Sequence, residues 1–158
     1  MALKFKVTIK GSKTAFKGEV PKGGDGLEGL AFQYGISVPY DPGTGMVTGK
    51  HEHGTVSMTK AWGAASPQLV QALVNNETLT SVRFEFYRRD PTGVDAVFHR
   101  ITLESAFVVG INQHIEPTYV PATANYSELE EITFVYGKIT IENPLAGTTA
   151  VDDWGAQP

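Results

Sequence analysis

Leu30-Ala31-Phe32-Gln33-Tyr34-Gly35-Ile36-Ser37-Val38 places five large apolar residues at every second position, with small or neutral residues between them. Successive side chains of an extended chain point to opposite faces, so this period of two marks a strand covered on one side. Leu30, Phe32, Tyr34, Ile36 and Val38 are expected to face a core. Ala31, Gln33, Gly35 and Ser37 are expected on the other face, which carries no charge. Six further segments alternate in the same way. In residues 3–10, Leu3, Phe5, Val7 and Ile9 oppose Lys4, Lys6, Thr8 and Lys10. In residues 55–62, Val56, Met58 and Trp62 align with one inward lysine, Lys60. Val82, Phe84 and Phe86 oppose Arg83, Glu85 and Tyr87, and Val97, Ile101 and Leu103 share a face with His99. Residues 106–115 are apolar on both faces at their start, as suits a central strand or one buried against a partner. In the last segment Ile132, Phe134 and Tyr136 alternate, and Ile139 and Ile141 resume one residue late. Gly137 stands at the slip, where a bulge or bend restores the register.

One helix is marked. Ser66 suits an N-cap and Pro67 the first helical position, although Leu69 stands where a capping box needs Glu or Gln. Leu69/Leu73 and Val70/Val74 then recur at four-residue spacing, predicting an apolar face about three turns long that ends at Asn75 and Asn76. Breakers mark the connections: a Gly- and Lys-rich stretch at 11–29, a long loop opening at Asp41-Pro42-Gly43-Thr44-Gly45 and running to about Gly54, a turn at Asp90-Pro91-Thr92-Gly93, and an excursion at 117–127. Residues 144–158 have no period and read as a flexible tail after a domain at 1–143. The expected fold is mainly β, a small β-barrel of about seven to eight strands or two packed sheets, with one short α-helix.

Composition agrees. The 158 residues fit one domain whose core needs no covalent or metal staple. Cysteine is absent, excluding disulfides, thiolate metal sites and cysteine catalysis. No apolar stretch approaches the roughly 18 residues of a membrane span, and residues 1–10 lack the apolar block of a secretory signal peptide. A net charge of -4 argues against a general nucleic-acid binder. That charge is uneven: residues 1–22 hold six lysines and one acid, and the remainder is strongly acidic. Either a solvated basic strand lies on an acidic domain, or a basic end of one copy meets an acidic surface of another.

The chemistry-bearing patterns are few. His51-Glu52-His53 puts two imidazoles on one side of an extended segment, correct chemistry for zinc or copper. A third and fourth ligand are needed, and nothing places His99 or His114 nearby, so no metal, cofactor or catalytic residue is assigned. His99 reads as a hydrogen-bonded core histidine. No G-x-S-x-G elbow occurs. Glu128, Glu130 and Glu131 read as a solvated strand entry, and Gly23, Gly24 and Gly26 as a flexible loop rather than a phosphate cradle. What remains is a strand-rich domain with long projecting loops and edges available for pairing with a neighbour, in a ring or a filament.

Several segments, in order, resemble the haemolysin-coregulated protein (Hcp) family, the tube proteins of bacterial type VI secretion systems. They are Leu30-Ala31-Phe32-Gln33-Tyr34-Gly35, His51 and His53 before the strand at 56–60, Ser66-Pro67-Gln68-Leu69, Ile101-Thr102-Leu103-Glu104-Ser105-Ala106, and residues 131–139. The match spans roughly residues 3–142. The resemblance implies a β-barrel with a helix on its side, and a non-enzymatic subunit of homo-hexameric rings that stack into a tube. It implies a contractile sheath, a spike protein at the tube tip and small secreted effectors as partners, with neither nucleic acid nor membrane. Synthesis would be cytoplasmic and export through the type VI machine. Gln33, with Gly35 and Ser37, would face the lumen and its cargo. The loop carrying Asp41, Gly43, Thr44, Gly45, Lys50, His51 and His53 would contact the next ring or subunit. Residues 11–29 depart from the commoner family loop, and a fused toxin domain is not expected in 158 residues. A tail-tube subunit of a phage or other contractile particle, or a monomeric barrel binding a small ligand, are the alternative readings.

Overall fold

A computed structural model describes residues 5–19, 26–115 and 128–153. Leu3 and Lys4, Gly23 and Gly24, the excursion at 117–127 and residues 154–158 lie outside the described residues. The elements, in chain order, are β1 (Phe5–Gly11), β2 (Gly26–Gly29), β3 (Ala31–Gln33), β4 (Ile36–Ser37), β5 (Glu52–His53), β6 (Val56–Ala61), α1 (Ser66–Val74), β7 (Leu79–Arg89), β8 (Asp95–Ile115), β9 (Glu128–Val135), β10 (Lys138–Asn143) and β11 (Thr148–Asp153). The described residues are mostly β, with a single short helix among them. No helix among the described residues is long and apolar enough to cross a membrane.

The principal path of hydrogen-bonded strands runs β2-β1-β7-β8-β9-β6-β3, with β10 joining β8 and β11 joining β10. This corrects the expectation of a closed barrel. The ends of the path, β2 and β3, do not pair; they are successive pieces of one chain separated only by Leu30. Leu30 N–H bonds to the Thr59 carbonyl on β6, while Gly29 pairs with Phe5 on β1. The chain therefore leaves one sheet for the other at this residue, and closure is covalent where a ladder would be needed for a barrel.

The 21 residues of β8 make the second link. Its first half pairs with β7 and β10, its second half with β9. Between them Ser105 adopts φ +52°, an uncommon value for a residue other than glycine. Gly137 sits beside it, donating its N–H to the Glu104 carbonyl. The phase slip seen in the sequence is thus the point where the chain passes from β9 to β10, that is, from one sheet to the other along the same partner strand.

Alternation places the core where the sequence predicts it over most of the strands. Val7, Ile9, Val56, Met58, Val82, Phe84, Leu103, Ile132 and Phe134 are buried. Phe32 meets Phe5 at 5.9 Å and both Phe84 and Phe86 at 5.0 Å between ring centres, and Phe84 continues to Phe134 at 6.1 Å. These edge-on contacts fill the space between the sheets with aromatic carbon.

Local expectations are corrected at several points. The covered face of the stretch at 30–38 stops at Tyr34; Ile36 and Val38 are exposed because the chain leaves the core there. Trp62 is also exposed. Helix α1 buries Leu69 and Ala72 and leaves Val70 and Val74 in the open, so one apolar pair faces inward and the other does not. Its N-cap is Ala65, with no side-chain cap; the Ser66 hydroxyl is instead bonded to Glu130 (2.6 Å). Gly26 belongs to β2 rather than a loop, where a Cβ would lie 2.3 Å from the Lys6 side chain. Residues 148–153 form β11 rather than a tail, paired throughout with β10.

Candidate functional site

The loop at 41–54 is an ordered excursion continuous with β4 and β5. Ile36 pairs with His53 and Ser37 with Glu52, and a bridge joins Tyr40 to Val47 further out. At the tip the Asp41 carboxylate accepts the Gly43 N–H (2.8 Å), the Asp41 carbonyl accepts the Gly45 N–H (2.7 Å), and Gly45 takes φ +74°, a conformation glycine enters without steric cost. Asp41, Gly43, Thr44 and Gly45 therefore form the turn of a β-hairpin, and Lys50, His51 and His53 lie on its return arm. Tyr40 and Met46 are 63% and 68% exposed, and Ile36 and Val47 are comparably open. An ordered hairpin this apolar has no core of its own beneath it.

Its base is fastened from three directions. The Tyr136 hydroxyl donates to the Gly54 carbonyl at 2.7 Å. The Tyr34 hydroxyl and His53 Nδ1 are 3.2 Å apart. The Nε2 atoms of His51 and His53 both reach Asp152 Oδ2, the latter at 2.7 Å. An ionised carboxylate only accepts, so both imidazoles carry a proton on Nε2, and in neutral His53 Nδ1 accepts the Tyr34 proton. The two histidine hydrogen bonds, with His53's the stronger influence, hold the Asp152 carboxyl below its ordinary value against a smaller upward push from burial. Burial, then the Asp152 charge, raises Tyr34, and burial raises Tyr136 further.

Asp152 is the residue that sequence reasoning missed. It sits on β11 opposite Ile139, a core residue, and so lies on the inward side of an edge strand. The ligand atoms of His51, His53 and Asp152 lie within 4.8 Å of one another. They adjoin an open pocket of about 420 Å³ lined by Lys50, His51, His53, Gly54, Thr55, Val135 and Tyr136. Beyond His51 and His53, sequence alone provides no third ligand because β11 reads as a tail.

Gln33, Gly35 and Ser37 are exposed, on the side away from Phe32 and its ring contacts. Pairing extends that side across the sheet: Gln33 stands opposite Ser57, Ser57 opposite Thr133, and Thr133 opposite Gly110. This row is neutral on all four strands, with the Ser57 and Thr133 hydroxyls 3.5 Å apart. The adjoining row of Ala31, Thr59, Glu131 and Asn112 carries one charge. Ser57 and Thr133 alternate against their own core neighbours, so the same period of two could have identified them.

Behind this face Lys60 and Glu130 are cross-strand partners, both fully buried. Lys60 Nζ lies 2.7 Å from Glu130 Oε1 and 2.7 Å from Glu19 Oε1. Glu130 also accepts from Ser66 (2.6 Å) and Gln113 (2.9 Å). Burial pushes its carboxyl up, but the hydrogen bonds from Lys60, Ser66 and Gln113 and the lysine charge outweigh that and hold it below its ordinary value. The expected solvated acidic run is thus corrected at Glu130, an inward residue of β9; Glu131 beside it is exposed.

Comparison with known proteins places these features in a family context. The model of a family described as "Type VI secretion system effector, Hcp" matches residues 5–142. A Pseudomonas aeruginosa protein named "Major exported protein" is 35% identical over 123 residues, covering 78% of this chain and 72% of that protein. Among solved structures, one described as an Hcp protein superposes with a TM-score of 0.89 at 23% identity, covering 96% of this chain and 97% of the other. The secreted protein Hcp3 of Pseudomonas aeruginosa superposes with a TM-score of 0.77 at 25% identity, covering 96% and 97%.

Proposed function

The chain belongs to the Hcp family of type VI secretion proteins, and from that premise we propose that it is a structural subunit of the secretion tube. Copies join as homo-hexameric rings, and the rings stack. A contractile sheath drives the tube, a spike protein tips it, and small effectors travel inside. The protein is made in the cytoplasm and leaves through the apparatus, in keeping with the exported Pseudomonas aeruginosa relative. No catalytic step is part of this role.

The observation that carries the proposal is the hairpin at 36–53, ordered by its own backbone bonds yet presenting Ile36, Tyr40, Met46 and Val47 to solvent. Large apolar residues left exposed on one ordered hairpin suit an interface, and a second copy of the same chain covers them in a ring or between rings. The neutral row at Gln33, Ser57, Thr133 and Gly110 suits the wall of a channel, because uncharged polar groups hold cargo without binding it tightly. The interior is occupied by the rings of Phe5, Phe32, Phe84 and Phe134, which disfavours a barrel that binds a small ligand inside.

Negative-stain microscopy with native mass measurement tests this reading. Rings of about 103 kDa, six times the 17.1 kDa chain, and short stacks of them are expected. A species of 17.1 kDa at high protein concentration overturns it.

A further inference from the structure

We propose that His51, His53 and Asp152 form a binding site for a first-row divalent cation of the zinc type, one ion per chain. Imidazole nitrogen with a single carboxylate oxygen is a donor set that suits such ions, and three protein ligands leave a position open for water or a fourth donor. His51 and His53 lie two apart on an extended segment and so share a side, and the pairing of β11 with β10 brings Asp152 to the same point.

The hydrogen bonds already present are informative. Two N–H protons converge on one carboxylate oxygen, and a single divalent ion takes their place when each ring shifts its proton from Nε2 to Nδ1. Around a tetrahedral ion with bonds of about 2.0–2.1 Å, ligand atoms stand about 3.3 Å apart. The His53 contact of 2.7 Å therefore has to open by about 0.6 Å. His51 is half exposed and free to give way.

The partner of the other His53 nitrogen fits as well. When Nε2 binds the ion, the ring proton moves to Nδ1, and the Tyr34 hydroxyl 3.2 Å away changes from donor to acceptor. A hydroxyl can do both, so the second contact survives loading and fixes the ring. Tyr34 is thus a positioning residue for the site.

Tag-free, full-length protein titrated with Zn²⁺ by calorimetry, and with Co²⁺ followed by its visible absorption, tests the site. One ion per chain is expected, with the intense visible bands of low-coordinate Co²⁺ and a rise in melting temperature. His51→Ala, at a half-exposed position, and Asp152→Asn, a near-isosteric change at a partly buried one, should weaken binding more than 100-fold while keeping the metal-free melting profile cooperative. Tyr34→Phe should weaken it about 10-fold. Absence of saturable binding overturns the proposal, as does one-to-one binding that His51→Ala leaves unchanged, since the ion would then be held elsewhere. Ring formation is scored separately in the metal-free protein, so loss of the site and loss of the tube are distinguishable.

Discussion

Lys60 meets Glu130 across two strands and Glu19 from the segment after β1, all out of reach of bulk water or nearly so. Removing one member of a buried ion group leaves the others without compensation. Lys60→Met strands two carboxylates and is expected to cost about 3–5 kcal/mol of stability in urea unfolding. Glu130→Gln leaves Glu19 in place to neutralise the lysine, and a smaller loss of about 1–3 kcal/mol is expected. Acid acts in the same direction. Glu130 is held below its ordinary value in the fold, so its contribution is complete above the ordinary carboxylate range and disappears as pH falls through the lowered value. Glu77, pushed up by burial but held down further by hydrogen bonds from Thr14 and the Lys13 backbone, and Asp152 are lowered as well and share this sign. Melting temperature should therefore drop steeply below about pH 4.5, the ordinary glutamate value, and Glu130→Gln should flatten that drop. A parallel pH profile for the variant would show that Glu130 carries none of it. The inward lysine is legible in the sequence because it falls in phase with Val56 and Met58; its carboxylate partners are not, since Glu19 arrives from 41 residues away.

At the level of the element, the hairpin between β4 and β5 carries internal bonds at its tip, and its base is bonded to Tyr34, Tyr136 and Asp152. Replacing residues 41–46 by Asn-Gly joins Tyr40 and Val47, which already face each other, through a two-residue turn suited to hairpins. The variant should melt within a few degrees of the parent and form single rings, with stacks shortened or lost under the microscope. Tubes of undiminished length would remove the tip from ring stacking. The period-two pattern is readable wherever one face is buried, as in β1, β6, β7 and β9. It misleads at Ile36 and Val38, whose alternation continues after the core has ended, because exposed apolar alternation looks the same in sequence as buried alternation. It is silent over 148–153, where β11 is an edge with few residues to bury. The missing acidic ligand follows from that silence.

On the scale of the whole molecule, the neutral row from β3 across β6 and β9 to β8 is the feature that assembly would multiply around a bore. Gln33→Arg adds one charge per copy at an exposed position whose backbone pairing with Ser57 does not depend on the side chain. Rings should persist by native mass measurement, while co-purified cargo shifts toward acidic proteins. Dissociation to single chains would count against Gln33 facing an open channel. Strand β8, meanwhile, serves two sheets with one backbone, and the sequence conceals this because a bend at Ser105 looks like the start of a second strand. A push delivered to either sheet stretches or compresses that shared rail. Because one continuous backbone carries pairing on both sides, parting the sheets means breaking ladder bonds along β8.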